Sequence, residues 1–361
     1  MTPRWQSLPI RDDLRDLTPY GAPQIAATVA LNVNENTHPV PPEVIEDVVD
    51  AVRAALTTVN RYPDREFLEL RADFARYLGD GVTAEEVWAA NGSNEVLQQL
   101  LQAFAGPGRT AMGFAPTYSM YPLLTRMTGA SWVAGSRDPD FGLTPADAAA
   151  QVDRLRPEVV ILCSPNNPTG TPLDPDVITA VYAATAGIVV VDEAYHEFTP
   201  PGTPSATSLL PGRERLVVSR TMSKAFAFAG ARVGYLAADP ALIDALRLVR
   251  LPYHLSSLTQ AAARAVLAHA PVMLRTVADI ARQRDRIVAA LPALGYAPHP
   301  TWANFVLFGG VADPRRAWQS LYDRGVLVRD IGMPGHLRVS AGTAAETDAF
   351  LAAIASIESA A

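Results

Sequence analysis

The sequence predicts an α/β fold in which helices cover a mostly parallel sheet, followed by a smaller α+β domain. Between residues 87 and 219, short runs of valine, isoleucine and leucine alternate with helical patterns. Apolar strands joined by helices are typical of parallel sheets that are buried on both faces. After about residue 250 the pattern changes to long helices followed by short strands. A chain of 361 residues is also longer than one typical core requires, which favours two domains.

The individual elements follow from the spacing of apolar residues. An amphipathic helix is predicted over 41–56, because a proline pair and an acidic residue precede apolar side chains at helical spacing. In the first domain we expect strands at 87–90, 110–113, 158–163, 187–191 and 216–219, and helices at 93–105 and 174–186. In the second we expect helices at 261–270, 272–291 and 346–357, and strands at 304–308, 326–329 and 336–340.

These elements predict three parts of the chain. Residues 1–39 are polar and interrupted by prolines, and we expect them to form an N-terminal arm and part of the small domain. Residues 40–250 form the large domain, and residues 251–361 form the small C-terminal domain. Ligands of parallel sheets bind at the carboxyl ends of the strands, so the functional site is expected there.

Composition and charge exclude several classes of function. The net charge is −7, from 30 basic and 37 acidic residues, so nucleic acid and anionic membranes are poor partners. No apolar run reaches the roughly 18 residues of a membrane span, and the N-terminal stretch lacks a signal-peptide core, so a cytoplasmic protein is expected. The single cysteine, Cys163, and six scattered histidines show no metal-ligand spacing, so no metal is expected. For Cys163 an inert core thiol is favoured over a catalytic one.

The segment 220–232 places Lys224 among small and apolar residues. Burial or a nearby cation lowers the pKa of a lysine until its amine can form Schiff bases. Thr221 and Ser223 precede the lysine and Arg232 follows it, and hydroxyls with an arginine suit a phosphate group. A Schiff-base lysine beside a phosphate anchor is what pyridoxal phosphate requires of a protein. Because an isolated Ser-Lys pair is more often a surface lysine, this hypothesis depends on the rest of the chain.

Polar side chains also follow three of the predicted strands. Residues 91–95 open a helix whose amide groups and dipole favour an anion, although polar residues at a helix start are more often only caps. Asn167 lies in a turn made rigid by two prolines and a glycine, from which its amide can donate to a ligand. Asp192 ends the next strand, where a buried carboxylate needs a protonated pyridine nitrogen or a structural salt bridge. Tyr195 could reach the same ligand from that turn.

Together these motifs resemble the class II pyridoxal-phosphate aminotransferases of the aspartate aminotransferase fold type, and within them the histidinol-phosphate aminotransferase family. The lysine segment and the Asn-Asn-Pro-Thr-Gly turn mark the broad group, and the Asn-Glu-Asn, Asn-Arg-Tyr-Pro and Arg-Asp segments mark the family. One departure is that Thr37 and His38 separate Asn-Glu-Asn from the proline that usually follows it. The matching segments extend along the chain: 17–20, 31–36, 60–63, 91–95, 116–118, 164–170, 192–195, 221–232, 304–305, 329–330 and 337–339.

The resemblance implies the fold and the cofactor site. The fold would be that of fold type I pyridoxal-phosphate enzymes, with a seven-stranded sheet in the large domain. Lys224 would bind pyridoxal 5′-phosphate covalently and move the substrate proton, and Asp192 would pair the pyridine nitrogen. Asn167 and Tyr195 would bind the 3′ oxygen, and Tyr118 would stack on the ring. The phosphate would be bound by Ser93, Asn94, Thr221, Ser223 and Arg232, with Tyr62 supplied by the second subunit of a homodimer that shares its active sites.

The resemblance also implies the substrates and the residues that bind them. The amino group would pass between L-histidinol phosphate and 2-oxoglutarate, giving imidazole acetol phosphate and glutamate in histidine biosynthesis. Arg329 and Arg338 would bind the substrate anion, because a guanidinium group accepts a phosphate or a carboxylate. Asn36 and Asn167 would contribute to substrate binding. Tyr20 would close the pocket from the partner subunit, unless the arm that carries it only docks.

Three other functions remain open on the sequence alone. An aromatic amino-acid aminotransferase that acts on phenylalanine is the nearest alternative, because imidazole and phenyl pockets differ by few contacts. A pyridoxal-phosphate-dependent decarboxylase of a phosphorylated amino acid is a different reaction on the same cofactor. A regulatory domain without enzymatic activity is disfavoured, because Lys224, Asp192 and Arg232 are all present.

Overall fold

The computed structural model describes residues 8–15 and 21–358. Its strands are β1 (Val29–Ala30), β2 (Val87–Ala90), β3 (Thr110–Ala115), β4 (Ser131–Ser136), β5 (Val159–Cys163), β6 (Ile188–Asp192), β7 (Leu216–Thr221), β8 (Gly234–Ala238), β9 (Ala297–Pro298), β10 (Phe305–Gly309), β11 (Val326–Leu327) and β12 (Leu337–Ser340). Its α-helices are α1 (Pro42–Leu56), α2 (Leu68–Leu78), α3 (Ser93–Phe104), α4 (Met120–Met127), α5 (Pro145–Leu155), α6 (Pro175–Ala184), α7 (Pro240–Val249), α8 (Ser257–Ala268), α9 (Ala270–Met273), α10 (Arg275–Ala290), α11 (Pro314–Asp323) and α12 (Ala344–Glu358).

Seven strands form the large sheet, in the order β2-β8-β7-β6-β5-β3-β4. The five strands from β4 to β7 are paired in parallel, and β8 is antiparallel to both of its neighbours, β7 and β2. Helices surround this sheet, so the predicted α/β class with a mostly parallel seven-stranded sheet is confirmed. In the part of the chain that the structure describes, no helix is long and apolar enough to cross a membrane.

The central strands are buried on both faces because alternate side chains enter two separate cores. On β5, Val160 and Leu162 pack with residues of α5 and α6, whereas Val159 and Ile161 pack in the core on the opposite face. A strand covered on both sides needs apolar residues at every position, which explains the continuous valine and isoleucine runs. The same double burial brings Asp192, at the end of β6, into an apolar surrounding.

The parallel register aligns the ends of β5, β6 and β7. Cys163 lies opposite Asp192, and Asp192 lies opposite Ser219. The loops that carry Asn167 and Lys224 therefore leave the sheet at the same edge. This edge is the one at which parallel sheets bind ligands.

The N-terminal segment pairs with the C-terminal part of the chain. Val29 and Ala30 pair in parallel with Val326 and Leu327, and β9, β10 and β12 form an antiparallel sheet beside them. The backbone N–H of Ser340 donates to the carbonyl oxygen of Leu31 at 2.9 Å. These bonds bring the segment after β1 alongside β12. The inclusion of the arm in the small domain and the boundaries at residues 39 and 250 stay predictions.

The sequence located most elements of the sheet and missed others. Strand β2 and helix α1 begin and end within one residue of their predicted limits. The predicted helix 272–291 is interrupted near Leu274 into α9 and α10, and the predicted strand 326–329 shortens to β11. Strands β1, β4, β8 and β9 and helices α2, α4, α5, α7 and α11 were not predicted.

Candidate active site

A cavity of about 600 Å³ lies at the carboxyl edge of the large sheet. Residues from the loops after β5, β6 and β7 line it together with the start of α3, the segment 32–35 and residues near β12. Twelve of the site residues predicted from the sequence are brought together here: Ser93, Asn94, Tyr118, Asn167, Asp192, Tyr195, Thr221, Ser223, Lys224, Arg232, Arg329 and Arg338. Their roles in binding and catalysis stay predictions.

Lys224 lies in the short turn after β7 with a half-buried side chain. Its Nζ donates a hydrogen bond to the carbonyl oxygen of Val33 at 3.0 Å. Burial lowers the pKa of Lys224 to about 8, with further lowering by the positive charges of Arg338 and Arg232 and an opposing effect of Glu35. A substantial fraction of this amine is therefore neutral near physiological pH, as a nucleophile requires.

The hydroxyl of Tyr195 is buried beside Lys224 in the same cavity. Its oxygen accepts hydrogen bonds from Nδ2 of Asn167 at 3.3 Å and from Nδ2 of Asn34 at 2.9 Å. Burial raises the pKa of Tyr195 above its usual value, so the hydroxyl keeps its proton at neutral pH. Tyr195 is thus a neutral group whose oxygen is held by two amide donors.

Two arginines line the cavity on the side of β12. Arg338 is 8% exposed, and it donates from Nη1 to Oδ1 of Asn167 at 2.6 Å and from Nη2 to the carbonyl oxygen of Asn32 at 3.0 Å. Its guanidinium carbon lies 5.1 Å from the ring centre of Phe305. Arg329 pairs with Arg338 through reciprocal backbone hydrogen bonds of 2.9 and 3.0 Å. The backbone pairing brings two positive charges to one wall, which favours an anionic ligand.

The first turn of α3 and Arg232 form a second region suited to an anion. Gly92 precedes the helix with a φ of 87°, and a Cβ at this position would lie 2.4 Å from Nη2 of Arg232. Nη1 of Arg232 donates to Oγ of Ser223 at 3.4 Å. The helix N-terminus, a hydroxyl and a guanidinium group therefore lie together, and only glycine allows this close approach.

Two of the other predicted site residues, Asn36 and Tyr62, are not brought to the cavity. Nδ2 of Asn36 donates instead to Oγ1 of Thr276 at 2.9 Å and to the carbonyl oxygen of Ala225 at 3.3 Å, so its side chain joins two parts of the fold. Tyr62 is 81% exposed and stacks on Tyr253, with ring centres 4.4 Å apart. Tyr20 lies outside the described residues. The predicted contacts of Tyr62 and Tyr20 with a second subunit stay predictions.

Comparison with known proteins identifies the family. The family model "Aminotransferase class I and II" matches residues 27–354, which is most of the chain. The chain belongs to this family. It is a pyridoxal-phosphate-dependent aminotransferase, and the cofactor expected from the sequence is confirmed at this level.

Individual relatives of this aminotransferase carry more specific names. A histidinol-phosphate aminotransferase of Paenarthrobacter aurescens (strain TC1) is 60% identical over 354 residues, covering 97% of this chain and 95% of that protein. The structure of histidinol-phosphate aminotransferase from Sinorhizobium meliloti in complex with pyridoxal-5′-phosphate is 25% identical, with a TM-score of 0.85 and 98% of each chain covered. The aspartate aminotransferase of Thermus thermophilus with maleate is 26% identical, with a TM-score of 0.77 and 92% of each chain covered. The resemblance seen in the sequence is confirmed.

The carboxylate of Asp192 fits the cofactor of the aminotransferase. Oδ2 accepts a hydrogen bond from the hydroxyl of Tyr121 at 2.7 Å, while Oδ1 is buried with no hydrogen-bond partner among the described residues. Burial raises the pKa of Asp192 to about 6, and the Tyr121 bond opposes that shift. A buried carboxylate oxygen without a donor is costly, and a protonated pyridine nitrogen would supply both the donor and the opposite charge. The donor set of this site therefore fits pyridoxal phosphate.

Sequence reasoning missed three residues of the aminotransferase site. Tyr121 holds Asp192, Asn34 contacts Tyr195, and Glu35 lines the cavity near Lys224. Asn34 belongs to the Asn-Glu-Asn segment on which the resemblance partly rests, but the neighbouring Asn36 was selected. Cys163 also borders the cavity, and burial raises the pKa of its thiol to about 12, as expected of an inert thiol.

Proposed function

We propose that this aminotransferase transfers the amino group between L-histidinol phosphate and 2-oxoglutarate in histidine biosynthesis. The observation that carries the proposal is the 60% identity, over 97% of the chain, with a protein named histidinol-phosphate aminotransferase. The cavity supports it, because Arg329 and Arg338 offer guanidinium groups to an anionic substrate. A guanidinium group accepts both the phosphate of one substrate and the carboxylate of the other.

Lys224 is proposed to hold the cofactor and to move the substrate proton. Pyridoxal phosphate, when bound, supplies the electron sink that allows a proton to leave the substrate carbon. With a pKa lowered to about 8, the Nζ of Lys224 exchanges a proton near neutral pH more readily than an ordinary lysine. Nζ would accept the proton from the substrate carbon that bears the amino group and would deliver it to the cofactor carbon across the shared nitrogen, so one group would be both base and acid.

The surrounding residues are proposed to orient the cofactor. Asp192 would keep the ring nitrogen protonated through Oδ1, and Tyr118 would stack on the ring. Asn167 and Tyr195 would bind the 3′ oxygen. Support comes from the free Oδ1 of Asp192 and from the position of all four residues around one cavity. The phosphate is assigned to Ser93, Asn94, Thr221, Ser223 and Arg232, which surround the start of α3.

We also propose that the enzyme is a cytoplasmic homodimer whose active sites are shared. Tyr62 is 81% exposed, far more than a tyrosine usually is when it has no partner surface. Other large apolar side chains from the segments 56–68 and 248–253 are exposed as well: Leu56, Val59, Leu68, Leu248, Leu251 and Tyr253. Their burial by a second copy would bring Tyr62 to the partner's cofactor phosphate.

The proposal is tested by following glutamate formation from L-histidinol phosphate and 2-oxoglutarate in the presence of pyridoxal phosphate. The Lys224→Ala variant is the negative control, because it lacks the amine and is expected to keep the surrounding cavity. Glutamate should form with the native enzyme and not with the variant. The Arg338→Ala variant should raise KM for both amino donors, L-histidinol phosphate in the forward reaction and glutamate in the reverse reaction. Glutamate formation by Lys224→Ala at the native rate would contradict the mechanism, and no glutamate from histidinol phosphate with the native enzyme would contradict the substrate.

A further inference from the structure

The hydroxyl of Tyr195 lies between two amide groups. Its oxygen accepts a hydrogen bond from Nδ2 of Asn34 at 2.9 Å and another from Nδ2 of Asn167 at 3.3 Å. Both asparagines and the tyrosine are buried, with 2%, 7% and 4% of their surface exposed. Whether these amides donate or accept depends on the orientation of each side chain, because nitrogen and oxygen of an amide are exchanged by a flip.

The orientation of Asn167 is fixed by Arg338. Nη1 of Arg338 lies 2.6 Å from Oδ1 of Asn167. A guanidinium group can only donate, so the atom that faces it must be the amide oxygen. The amide nitrogen of Asn167 then faces Tyr195 and donates to its hydroxyl oxygen.

The orientation of Asn34 is fixed by Ser340 in β12. Oγ of Ser340 accepts from the backbone N–H of Asn34 at 2.9 Å and donates its own hydrogen to Oδ1 of Asn34 at 3.1 Å. A flipped amide would leave the Ser340 hydrogen without an acceptor at this contact, which is costly for a side chain that is 1% exposed. The amide nitrogen of Asn34 therefore also faces Tyr195.

These two donors occupy the acceptor positions of the Tyr195 oxygen. A tyrosine hydroxyl has one hydrogen to donate, and neither amide nitrogen can accept it. The hydrogen must then point away from Asn34 and Asn167, and Tyr195 lines the cavity. We propose that Asn34 is a positioning residue that holds the Tyr195 hydrogen toward the cavity, ready for donation to the 3′ oxygen of bound pyridoxal phosphate.

The local backbone explains why an asparagine is suited to this position. Asn34 has a φ of 57°, in the left-handed region that asparagine tolerates better than most residues other than glycine. Nδ2 of Asn304 donates to its carbonyl oxygen at 3.1 Å, which holds the turn. The inference rests on the proposed contact of Tyr195 with the cofactor and does not depend on the identity of the amino donor.

The test measures cofactor affinity by titrating the cofactor-free protein with pyridoxal phosphate and following the visible absorbance, without any substrate. Asn34→Asp keeps the size of the side chain, but an ionised carboxylate accepts the Tyr195 hydrogen and turns it away from the cavity. Kd should rise by about tenfold or more, as expected for reversal of one hydrogen bond to a charged oxygen. Asn34→Gly keeps the left-handed backbone and removes the donor, and Kd should rise by about threefold to tenfold.

The control is the same substitution in a Tyr195→Phe background. If Asn34 acts through the hydroxyl, Asn34→Asp should change Kd by less than about twofold once the hydroxyl is absent. An equal loss of affinity in both backgrounds would mean that Asn34 only supports the fold, and it would overturn the inference, as would an unchanged Kd in the native background. Thermal unfolding of each cofactor-free variant checks the fold. If Asn34→Asp does not fold, Ser340→Ala replaces it, with the same Tyr195→Phe control. Ser340→Ala removes the hydroxyl that fixes the orientation of the Asn34 amide.

Because no amino donor is present, this outcome is independent of the proposed substrate. Failure of histidinol phosphate as a substrate would leave the Kd comparison intact. A native Kd for Asn34→Asp would overturn the inference even in an active histidinol-phosphate aminotransferase.

Discussion

At the scale of single residues, the buried carboxylate of Asp192 lowers the stability of the cofactor-free protein at neutral pH and is proposed to strengthen cofactor binding. Burial raises its pKa from 3.8 to about 6. Between these values the folded protein binds the proton more tightly than the unfolded chain, so this group stabilises the fold below about pH 4. That contribution is lost as the pH rises through about 6. At pH 7 the cofactor-free protein therefore carries a buried, incompletely compensated charge.

Asp192→Asn should consequently stabilise the cofactor-free protein at pH 7, by about 3 kcal/mol at most, and the gain should disappear near pH 4. The same variant should bind pyridoxal phosphate more weakly, because a neutral amide does not hold the ring nitrogen protonated. Urea unfolding at both pH values and a cofactor titration measure the two effects. A variant that is less stable at pH 7 and binds the cofactor normally would contradict the assigned role.

Sequence reasoning found the residues of the site that end strands. Asp192, Asn167 and Lys224 could be placed together because parallel strands bring their carboxyl ends to one edge. Tyr121 and Asn34 could not be placed, because their contacts depend on how a helix and a loop segment turn in three dimensions. Asn34 and Asn36 would share a face in an extended segment, but Asn34 has a φ of 57°, and the two side chains contact different partners. The sequence alone does not show this change of backbone direction.

At the scale of elements, the start of α3 depends on a glycine. Gly92→Ala would place a Cβ 2.4 Å from Nη2 of Arg232 and displace the guanidinium group. The affinity for pyridoxal phosphate should fall by about tenfold, the loss typical of one charged hydrogen bond. Cofactor titration of the variant measures this effect.

Gly81→Ala is the matched control for this prediction. Gly81 also has a positive φ, of 76°, but a Cβ there would meet nothing within 4 Å. Both substitutions place a side chain at a positive φ and introduce backbone strain of about 1–3 kcal/mol, yet only Gly92→Ala touches the site. Equal losses of cofactor affinity in the two variants would show that strain, and not displacement of Arg232, is responsible.

Two of the elements that the sequence did not predict, β8 and α11, lack the signals on which the prediction relied. Strand β8 is short and contains glycine and alanine. It follows the turn at Arg232 directly, so no predicted helix separates it from the preceding strand. It is antiparallel because residues 222–233 return the chain to the neighbouring position in the sheet without a crossover helix, and the pattern of apolar residues does not encode this return. Helix α11 is rich in charged residues, so its narrow apolar face was overlooked.

At the scale of the whole molecule, the proposed shared site can be tested with two defective subunits. Lys224→Ala lacks the amine, and Tyr62→Ala lacks the side chain that each subunit is proposed to contribute to its partner's active site. A hybrid dimer would contain one complete site, with Lys224 from one chain and Tyr62 from the other. Half of randomly assembled dimers are hybrids, so co-expression should restore about a quarter of the native activity.

The measurement is the specific activity of the unselected co-expressed mixture beside each variant alone. Activity that equals the average of the two separate variants would contradict a site shared between subunits. Size-exclusion chromatography of the native protein provides the control, because a monomer would exclude exchange of Tyr62.

The central claim is that this aminotransferase acts on a phosphorylated amino donor. It is tested most directly by the ratio of kcat/KM for L-histidinol phosphate to kcat/KM for L-phenylalanine, each with 2-oxoglutarate as acceptor. Recognition of the phosphate by Arg329 and Arg338 predicts a ratio of at least about ten, or about 1.4 kcal/mol in transition-state binding. A ratio near or below one would contradict the claim and favour the aromatic amino-acid aminotransferase.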